Sequence, residues 1–218
     1  MKEFLVLDLG LRSYAEALSF QRASAAARIS KRLPLDLLIL VEHPPVITLG
    51  RSTKAGNLLA SEALLASRGV ELFEVERGGD VTFHGPGQLV GYPIVRLPEP
   101  MDVVAHVRRL ERLLIDVLQP LGVEGYQVDG RSGVWVRRPL SEDKVAAIGV
   151  RVQKGATMHG FALNCNNSLA AFRGIIPCGI TDAGVTTVSE VIGADISPAD
   201  VLDRVTEAFL AEYAEVPA

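Results

Sequence analysis

Apolar residues recur at helical spacing in two long segments of the chain. Residues 12–32 are predicted to form an amphipathic helix that begins at the cap Ser13 and ends at Pro34. Asp102 caps a second helix to about residue 118, with apolar side chains at positions 103, 107, 110, 114 and 118. Further helices are predicted at residues 61–67, 169–172 and 197–213.

The strand pattern dominates the middle of the chain. Residues 35–41 are nearly all apolar, which is typical of a strand buried on both faces. Because the strands follow one another in hairpin order, with helices at both ends, the pattern favours an α+β fold. We expect one domain over residues 1–218, with the last helix as a possible small C-terminal lobe. Further strands are predicted at residues 46–49, 70–75, 81–84, 89–94, 125–128, 133–136, 145–152 and 158–163.

Composition narrows the class of protein. The chain has 218 residues, of which 48% are hydrophobic and 22% charged, as in a globular protein with a sizeable core. A net charge of -4 gives no general case for binding nucleic acid. No apolar run is long enough to span a membrane, and Asp8 interrupts the N-terminal apolar run too early for a signal peptide. We therefore expect a cytoplasmic protein.

A glycine-rich stretch at residues 77–93 organises the chain. Glycines stand at positions 78, 79, 85, 87 and 91, and Pro86 lies among them. Glycine allows a close approach that a Cβ would block, so such loops beside strands are where a ligand can reach backbone N–H groups. The stretch indicates two strands joined by a tight Gly-Pro-Gly turn. The alternative is a plain hairpin with an unusual turn.

Lys144 stands at the start of a predicted strand and is followed by the small residues Ala146, Ala147 and Gly149. Small side chains leave room for a ligand beside the sheet. A lysine that is partly desolvated there has a lowered pKa and can act as a base or an acid. The alternative is an ordinary lysine at the edge of a strand.

Two cysteines and two histidines complete the candidate chemistry. Cys178 lies between a proline and a glycine, and its thiolate would be nucleophilic if a cation were near. Cys165 is the rival nucleophile, but it could equally be a buried and inert thiol. His84 and His159 could act as bases or be structural, and with the cysteines they give only weak support for zinc. The residues alone suggest an acyl-transfer site with a glycine-lined apolar slot.

The signature of the glycine-rich stretch at residues 77–93 resembles that of the octanoyltransferases of lipoate biosynthesis, also called lipoate-protein ligase B. Three further blocks agree and keep the family order: Gly-Val-Trp-Val from position 133, Lys-Val-Ala-Ala-Ile-Gly from position 144, and Gly-Phe-Ala-Leu-Asn from position 160 with Pro-Cys-Gly from position 177. The signature itself is Arg77-Gly78-Gly79-x-x-Thr82-Phe83-His84-x-x-Gly87-Gln88-Leu89-x-x-Tyr92-Pro93.

The resemblance implies a fold like that of biotin and lipoate protein ligases, with mixed, mostly antiparallel sheets flanked by helices. It implies transfer of an octanoyl or lipoyl group from acyl carrier protein to the lysine of an apo lipoyl domain. The acceptors would be the 2-oxoacid dehydrogenase complexes and the glycine cleavage H protein. It assigns the acyl-thioester nucleophile to Cys178 rather than Cys165, and the partner base to Lys144. It assigns substrate contacts to Arg77, Gly78, Gly79, Asp80, Val81, Thr82, Phe83, His84, Ala147, Ile148, Gly149, Gly160, Phe161 and Ala162.

This chemistry needs no ATP, cofactor or metal, because thioester-to-thiol exchange is nearly isoenergetic and thioester-to-amide transfer is downhill. One alternative is an ATP-dependent lipoate or biotin ligase of the same fold, which would not need a nucleophilic Cys178. Another is a non-catalytic protein that binds acyl carriers or lipoyl domains. For docking of acidic partners, the candidates are Arg51 with Lys54 in a loop and the arginines at positions 108, 109 and 112 of the middle helix.

Overall fold

The structure, a computed structural model, describes residues 4–139, 141–176 and 183–214. Its helices are α1 Tyr14–Ile29, α2 Glu62–Ser67, α3 Val103–Leu118, α4 Val188–Ile192 and α5 Pro198–Ala214, with 3-10 turns at Ala55–Asn57, Gln119–Leu121 and Leu169–Gly174. Its strands are β1 Phe4–Leu11, β2 Asp36–Glu42, β3 Val46–Leu49, β4 Glu71–Glu74, β5 Val81–His84, β6 Gln88–Ile94, β7 Gly125–Val128, β8 Arg131–Arg137, β9 Glu142–Gln153, β10 Ala156–Asn164 and β11 Gly184–Val185.

Within the described residues, the strands form two sheets. The larger has eight strands in the order β1-β2-β6-β10-β9-β8-β7, with β11 paired to β9, and the smaller has the order β4-β3-β5. Most neighbouring pairs are antiparallel, but β1 with β2, β3 with β4 and β11 with β9 are parallel. The α+β class with mixed, mostly antiparallel sheets is confirmed.

The large sheet is covered on both faces. In β2, Leu38 and Leu40 belong to the core under α3 and α5, whereas Leu37 and Ile39 belong to the core under α1. Successive strand side chains point to opposite faces, so this strand must be apolar throughout. The expectation of a strand buried on both faces is therefore confirmed.

The first helix is shorter than predicted, because it ends at Ile29 rather than near Arg32. Its start is as expected, since the Ser13 side chain accepts a hydrogen bond from Glu16 N and the Glu16 carboxylate accepts one from Ser13 N. The end comes before Pro34 because Lys31 adopts a left-handed conformation (φ 61°). The N-terminal strand β1, which the sequence interpretation missed, pairs with β2.

The Gly-Pro-Gly turn does not close a hairpin. Gly87 has a φ of 85°, and Gln88 N donates a hydrogen bond to Gly85 O, so the turn itself is tight. However, β5 pairs with β3 in the small sheet and β6 pairs with β2 and β10 in the large sheet. The turn thus carries the chain from one sheet to the other, and a cavity opens between them.

Candidate active site

A cavity of about 350 Å³ lies between the two sheets. This volume is typical of small-molecule sites, which start at about 300 Å³. β5 of the small sheet forms one wall, and β6, β9 and β10 of the large sheet form the other. The following predicted site residues line it: Arg77, Gly79, Asp80, Thr82, His84, Lys144, Ala147, Ile148, Gly149, Gly160, Phe161 and Ala162.

Three predicted contact residues do not line the cavity. In β5, Thr82 and His84 face it, whereas Val81 and Phe83 belong to the small-sheet core, because side chains alternate along a strand. Gly78 contributes its backbone instead, and its N–H donates to Val150 O at 2.8 Å. Any contact of these three residues with a substrate therefore stays a prediction.

Arg77 fixes the shape of the small-sheet wall. Its guanidinium donates to Thr48 O at 2.7 Å, to Thr48 Oγ1 at 2.9 Å and to Gly78 O at 3.1 Å. The side chain is only 7% exposed. A buried guanidinium with several acceptors is rigid, so Arg77 holds the Gly78-Gly79 bend against the sheet.

Two glycines, Gly149 of β9 and Gly160 of β10, belong to the opposite wall. A methyl group added at Gly149 would lie 2.9 Å from Gly78 O and 3.2 Å from Arg77 Cδ. One added at Gly160 would clash with Gly91 O and lie 2.5 Å from Pro93 Cδ. Glycine is therefore required at position 149 for the Gly78 segment to approach β9, and at position 160 for β10 to lie against β6 within the large sheet.

His84 is held in one orientation by a chain of hydrogen bonds. Gln88 Nε2 donates to Asn164 Oδ1 at 2.8 Å, and Asn164 Nδ2 donates to Thr186 O at 3.1 Å. The oxygen of the Gln88 amide therefore faces His84 Nδ1, 2.7 Å away, and Nδ1 carries the proton. Burial lowers the pKa of His84 to about 3, so the imidazole is neutral at physiological pH.

His159 reaches the cavity through an unusual backbone conformation. Its φ is 57°, which is uncommon for a residue with a side chain, and its N–H donates to Gln21 Oε1 on α1 at 2.9 Å. Burial, and then the charge of Arg77, lower the pKa of His159 to about 3. No pattern in the sequence indicated this conformation or the contact with Gln21.

Aromatic residues complete this part of the cavity. The Tyr14 ring stacks on the His84 ring with 6.2 Å between their centroids, and burial raises the pKa of Tyr14 to about 12. Tyr92 OH bonds to Nε2 of His43 at 2.8 Å, and burial raises the pKa of Tyr92 as well. Tyr14 was missed by the sequence interpretation, since it lies on a helix 70 residues before His84 in the sequence.

Lys144 lines the cavity from β9 and is 6% exposed. Its Nζ lies 4.7 Å from the centre of the Trp135 ring on β8. The pairing of Val134 with Ala146 and of Trp135 with Lys144 leaves Val145 as an extra residue, which is a β-bulge. The bulge reverses the alternation, so Lys144 reaches the same cavity as Ala147 and Gly149.

The two cysteines cannot be compared directly, because Cys178 lies outside the described residues. Cys165 is fully buried, and burial raises the pKa of its thiol to about 12. It therefore has neither the exposure nor the thiolate population of a nucleophile. This favours the reading of Cys165 as an inert core thiol.

Three further sequence features concern a metal site, a membrane span and the arginines of α3. Among the described residues, no group of three or more His, Cys, Asp or Glu side chains is arranged to hold a metal ion. None of the helices in the described ranges is both long and apolar enough to cross a membrane. The arginines of α3 take part in internal ion pairs, with Arg108 on Glu111 at 2.8 Å and Arg109 on Glu212 at 3.0 Å.

Comparisons with known proteins show the family of this chain. The lipoyl protein ligase A/B catalytic domain family matches residues 13–210. An octanoyltransferase from Clavibacter sepedonicus is 52% identical over 209 residues, which are 93% of this chain and 87% of the relative. The chain belongs to the octanoyltransferase family. It is therefore an acyltransferase.

Solved structures support the fold. A bipartite lipoate protein ligase from Thermoplasma acidophilum has a TM-score of 0.75 at 18% identity and covers 98% of this chain and 84% of its own. A lipoate-protein ligase A bound with ATP has a TM-score of 0.73 at 16% identity and covers 98% and 86% respectively. The lipoate-ligase-like fold predicted for this octanoyltransferase family member is confirmed.

Proposed function

We propose that this octanoyltransferase moves an octanoyl or lipoyl group from acyl carrier protein to the lysine of apo lipoyl domains through a thioester on Cys178. The acceptor domains are those of 2-oxoacid dehydrogenase complexes and the glycine cleavage H protein. The observation that carries the proposal is a buried lysine, Lys144, which lines a glycine-walled cavity of about 350 Å³. Lys144 is the base, and the cavity holds the acyl chain.

The chain on either side of Cys178 supports this pairing. Before it, Ile176 N donates to Asn57 O at 2.8 Å, and the Asn57 side chain bonds to Asp80 of the cavity wall. After it, Val185 pairs with Lys144, and Thr186 N donates to Lys144 O at 3.1 Å. Both flanks of the segment that carries Cys178 are thus tied to residues that line the cavity.

The first half-reaction is exchange of one thioester for another. Lys144 removes the proton of Cys178, and the thiolate attacks the acyl carbonyl of the carrier thioester. The tetrahedral intermediate collapses as the bond to the pantetheine sulfur breaks, and Lys144 returns the proton to that sulfur. The products are the free carrier thiol and octanoyl-Cys178.

The second half-reaction forms the amide. The neutral amine of the acceptor lysine attacks the acyl-enzyme carbonyl and Lys144 accepts a proton from the amine. The C–S bond to Cys178 then breaks, and Lys144 returns the proton to the Cys178 sulfur. His84 and His159 are neutral at physiological pH, so they contribute polar surface and hydrogen bonding rather than a second base. No adenylate forms on this path.

Intact-protein mass spectrometry after mixing with octanoyl carrier protein tests the function. We expect the added mass of one octanoyl group, labile to hydroxylamine, in the parent and in Cys165→Ser. Cys178→Ser should acquire no labile adduct. An adduct that persists in Cys178→Ser and disappears in Cys165→Ser would reverse the assignment, and activity that requires octanoate, ATP and magnesium would indicate a ligase instead.

A further inference from the structure

A buried carboxylate lies outside the cavity, on the helix that packs behind it. Glu111 of α3 is 0% exposed. Its Oε2 accepts hydrogen bonds from Arg108 Nη1 at 2.8 Å and from Gln127 Nε2 at 2.9 Å, and its Oε1 accepts one from Gly133 N at 2.9 Å. Burying a charged side chain is costly, and the three hydrogen bonds with good geometry offset that cost. The presence of a carboxylate at this buried position therefore calls for an explanation.

The Arg108–Glu111 pair forms hydrogen bonds on both sides of the turn between β7 and β8. Arg108 Nη2 donates to Val128 O at 3.2 Å on the β7 side, while Glu111 holds Gly133 N on the β8 side. The residues between them, at positions 130–132, line the cavity. The helix therefore fixes one wall of the active site from behind.

The Lys144 side chain packs on Gly133. This glycine has a φ of 115°, and a methyl group added there would lie 3.1 Å from Lys144 Cε and 3.2 Å from Lys144 Cδ. The lysine stem thus crosses directly over the Gly133 backbone. The bulge at Val145 lies on the strand opposite this point. A shift of Gly133 would therefore move Lys144.

We propose that Glu111 is a positioning residue for Lys144: by anchoring Gly133 N–H, its carboxylate fixes the backbone on which the lysine stem rests. The inference rests on the proposed function, because it assumes that Lys144 is the base. Glu111 touches neither the substrate nor the reacting atoms. Its effect is on the placement of Nζ, and displacement of a catalytic group by about 1 Å can cost ~10²-fold in rate.

Trp135 offers a readout that does not depend on catalysis. It is the only tryptophan of the chain, and the Lys144 ammonium lies over its ring. Since indole emission responds to a cation on the ring face, Lys144→Met gives the emission of a ring from which this cation has been removed. A change in Glu111 that displaces Lys144 should move the emission toward that reference.

The test compares Glu111→Ala and Glu111→Gln with the parent. We expect Glu111→Ala to form octanoyl-Cys178 ~10²-fold more slowly at saturating carrier protein, with KM changed little, and to shift Trp135 emission. In Glu111→Gln the amide has only one oxygen that can accept hydrogen bonds, so we expect octanoyl-Cys178 to form about fivefold more slowly. If the alanine variant does not fold, the glutamine variant still tests the proposal through the same two measurements.

Arg109→Met is the matched control, since it removes an ion pair of the same helix that faces Glu212 instead of β8. It should change neither acylation nor emission. A folded Glu111→Ala with normal Trp135 emission, or losses equal to those of Arg109→Met, would overturn the positioning role. Shifted emission with normal acylation would instead contradict Lys144 as the base, which separates the two failures.

Discussion

Lys144 and the two histidines His84 and His159 line one cavity, but the protein holds them by different means. Lys144 lies on flexible methylene groups over a glycine and places its ammonium on the face of Trp135. The His84 ring is hydrogen-bonded to Gln88, the backbone N–H of His159 donates to Gln21, and burial lowers the pKa of both histidines to about 3. The histidines are thus kept neutral by burial, whereas Lys144 is held through its aliphatic stem and an aromatic ring.

Under the proposed function, Lys144 and the histidines have separate tasks. A proton carrier must change its charge during the reaction, so it needs a site that tolerates both forms. A surface that receives an acyl chain must not acquire charge, because a buried unpaired charge is costly. Keeping two imidazoles neutral gives polar surface without that cost. The experiments below act on each group in turn.

Replacement of the lysine gives the largest expected effect. Lys144→Arg retains the positive charge, but arginine cannot deprotonate in a protein and cannot serve as the base. We expect kcat to fall at least ~10²-fold, as for removal of a general base, in a steady-state octanoyl-transfer assay. Lys54→Arg, at the other cavity-lining lysine, is the control and should change kcat little. Near-normal turnover of Lys144→Arg would mean that the lysine acts only as a fixed charge.

The histidines should make the fold sensitive to acid. Unfolded histidine has a pKa near 6.5, whereas in the fold that of His159 is about 3. Between these values the unfolded state binds one more proton, so stability falls as the pH drops below about 6.5 and is fully present only above it. Each such histidine contributes a slope of about 1.4 kcal/mol per pH unit.

His159→Asn isolates this term, because asparagine tolerates the left-handed conformation that position 159 requires. Urea unfolding between about pH 6 and about pH 4.5, on the acid side of about 6.5, should give a stability slope lower by about 1.4 kcal/mol per pH unit. His106→Asn, away from the cavity and with a pKa of about 4, should reduce the slope similarly but leave acyl transfer unchanged. Equal slopes in His159→Asn and the parent would contradict a neutral His159.

Local signals explain which parts of the fold were predictable. The caps Ser13 and Asp102 and the apolar run in β2 act through neighbours in sequence, and the structure has them where the pattern indicated. The separation of β5 from β6 depends on long-range pairing with β3 and β10, which the tight turn between them does not reveal. Turn chemistry therefore predicted the bend but not the sheets that it joins.

The site shows the same division. The glycines were found because several of them stand close together in one stretch, whereas Arg77 was assigned by the family resemblance. Tyr14 and Gln21 were missed, since a helix facing a sheet looks the same whether its polar residues meet solvent or a cavity. The bulge beside Lys144 was missed as well, because alternation along β9 gives no indication that a residue is looped out. Long-range contacts and strand irregularities need the structure.

The smallest expected effect lies at the rim, where charge meets protein partners. Arg108 and Arg109 of α3 form close internal ion pairs, which leaves the loop after Gly50 as the better candidate for docking acidic partners. Lys54 lines the cavity, but Arg51 is exposed and does not. Because rim charges mainly affect the association rate, Arg51→Glu should raise the KM for octanoyl carrier protein and flatten its dependence on salt, with little change in kcat.

Arg112→Glu is the matched control for Arg51→Glu, because it makes the same change in net charge at an exposed position on α3. It should leave the KM for the carrier protein nearly unchanged, so that a rise specific to Arg51→Glu reports a local contact. A small octanoyl thioester without the carrier protein should be used equally well by both variants. If Arg51→Glu impairs the small thioester as much as the carrier substrate, the loop shapes the cavity mouth, and docking must depend on another surface.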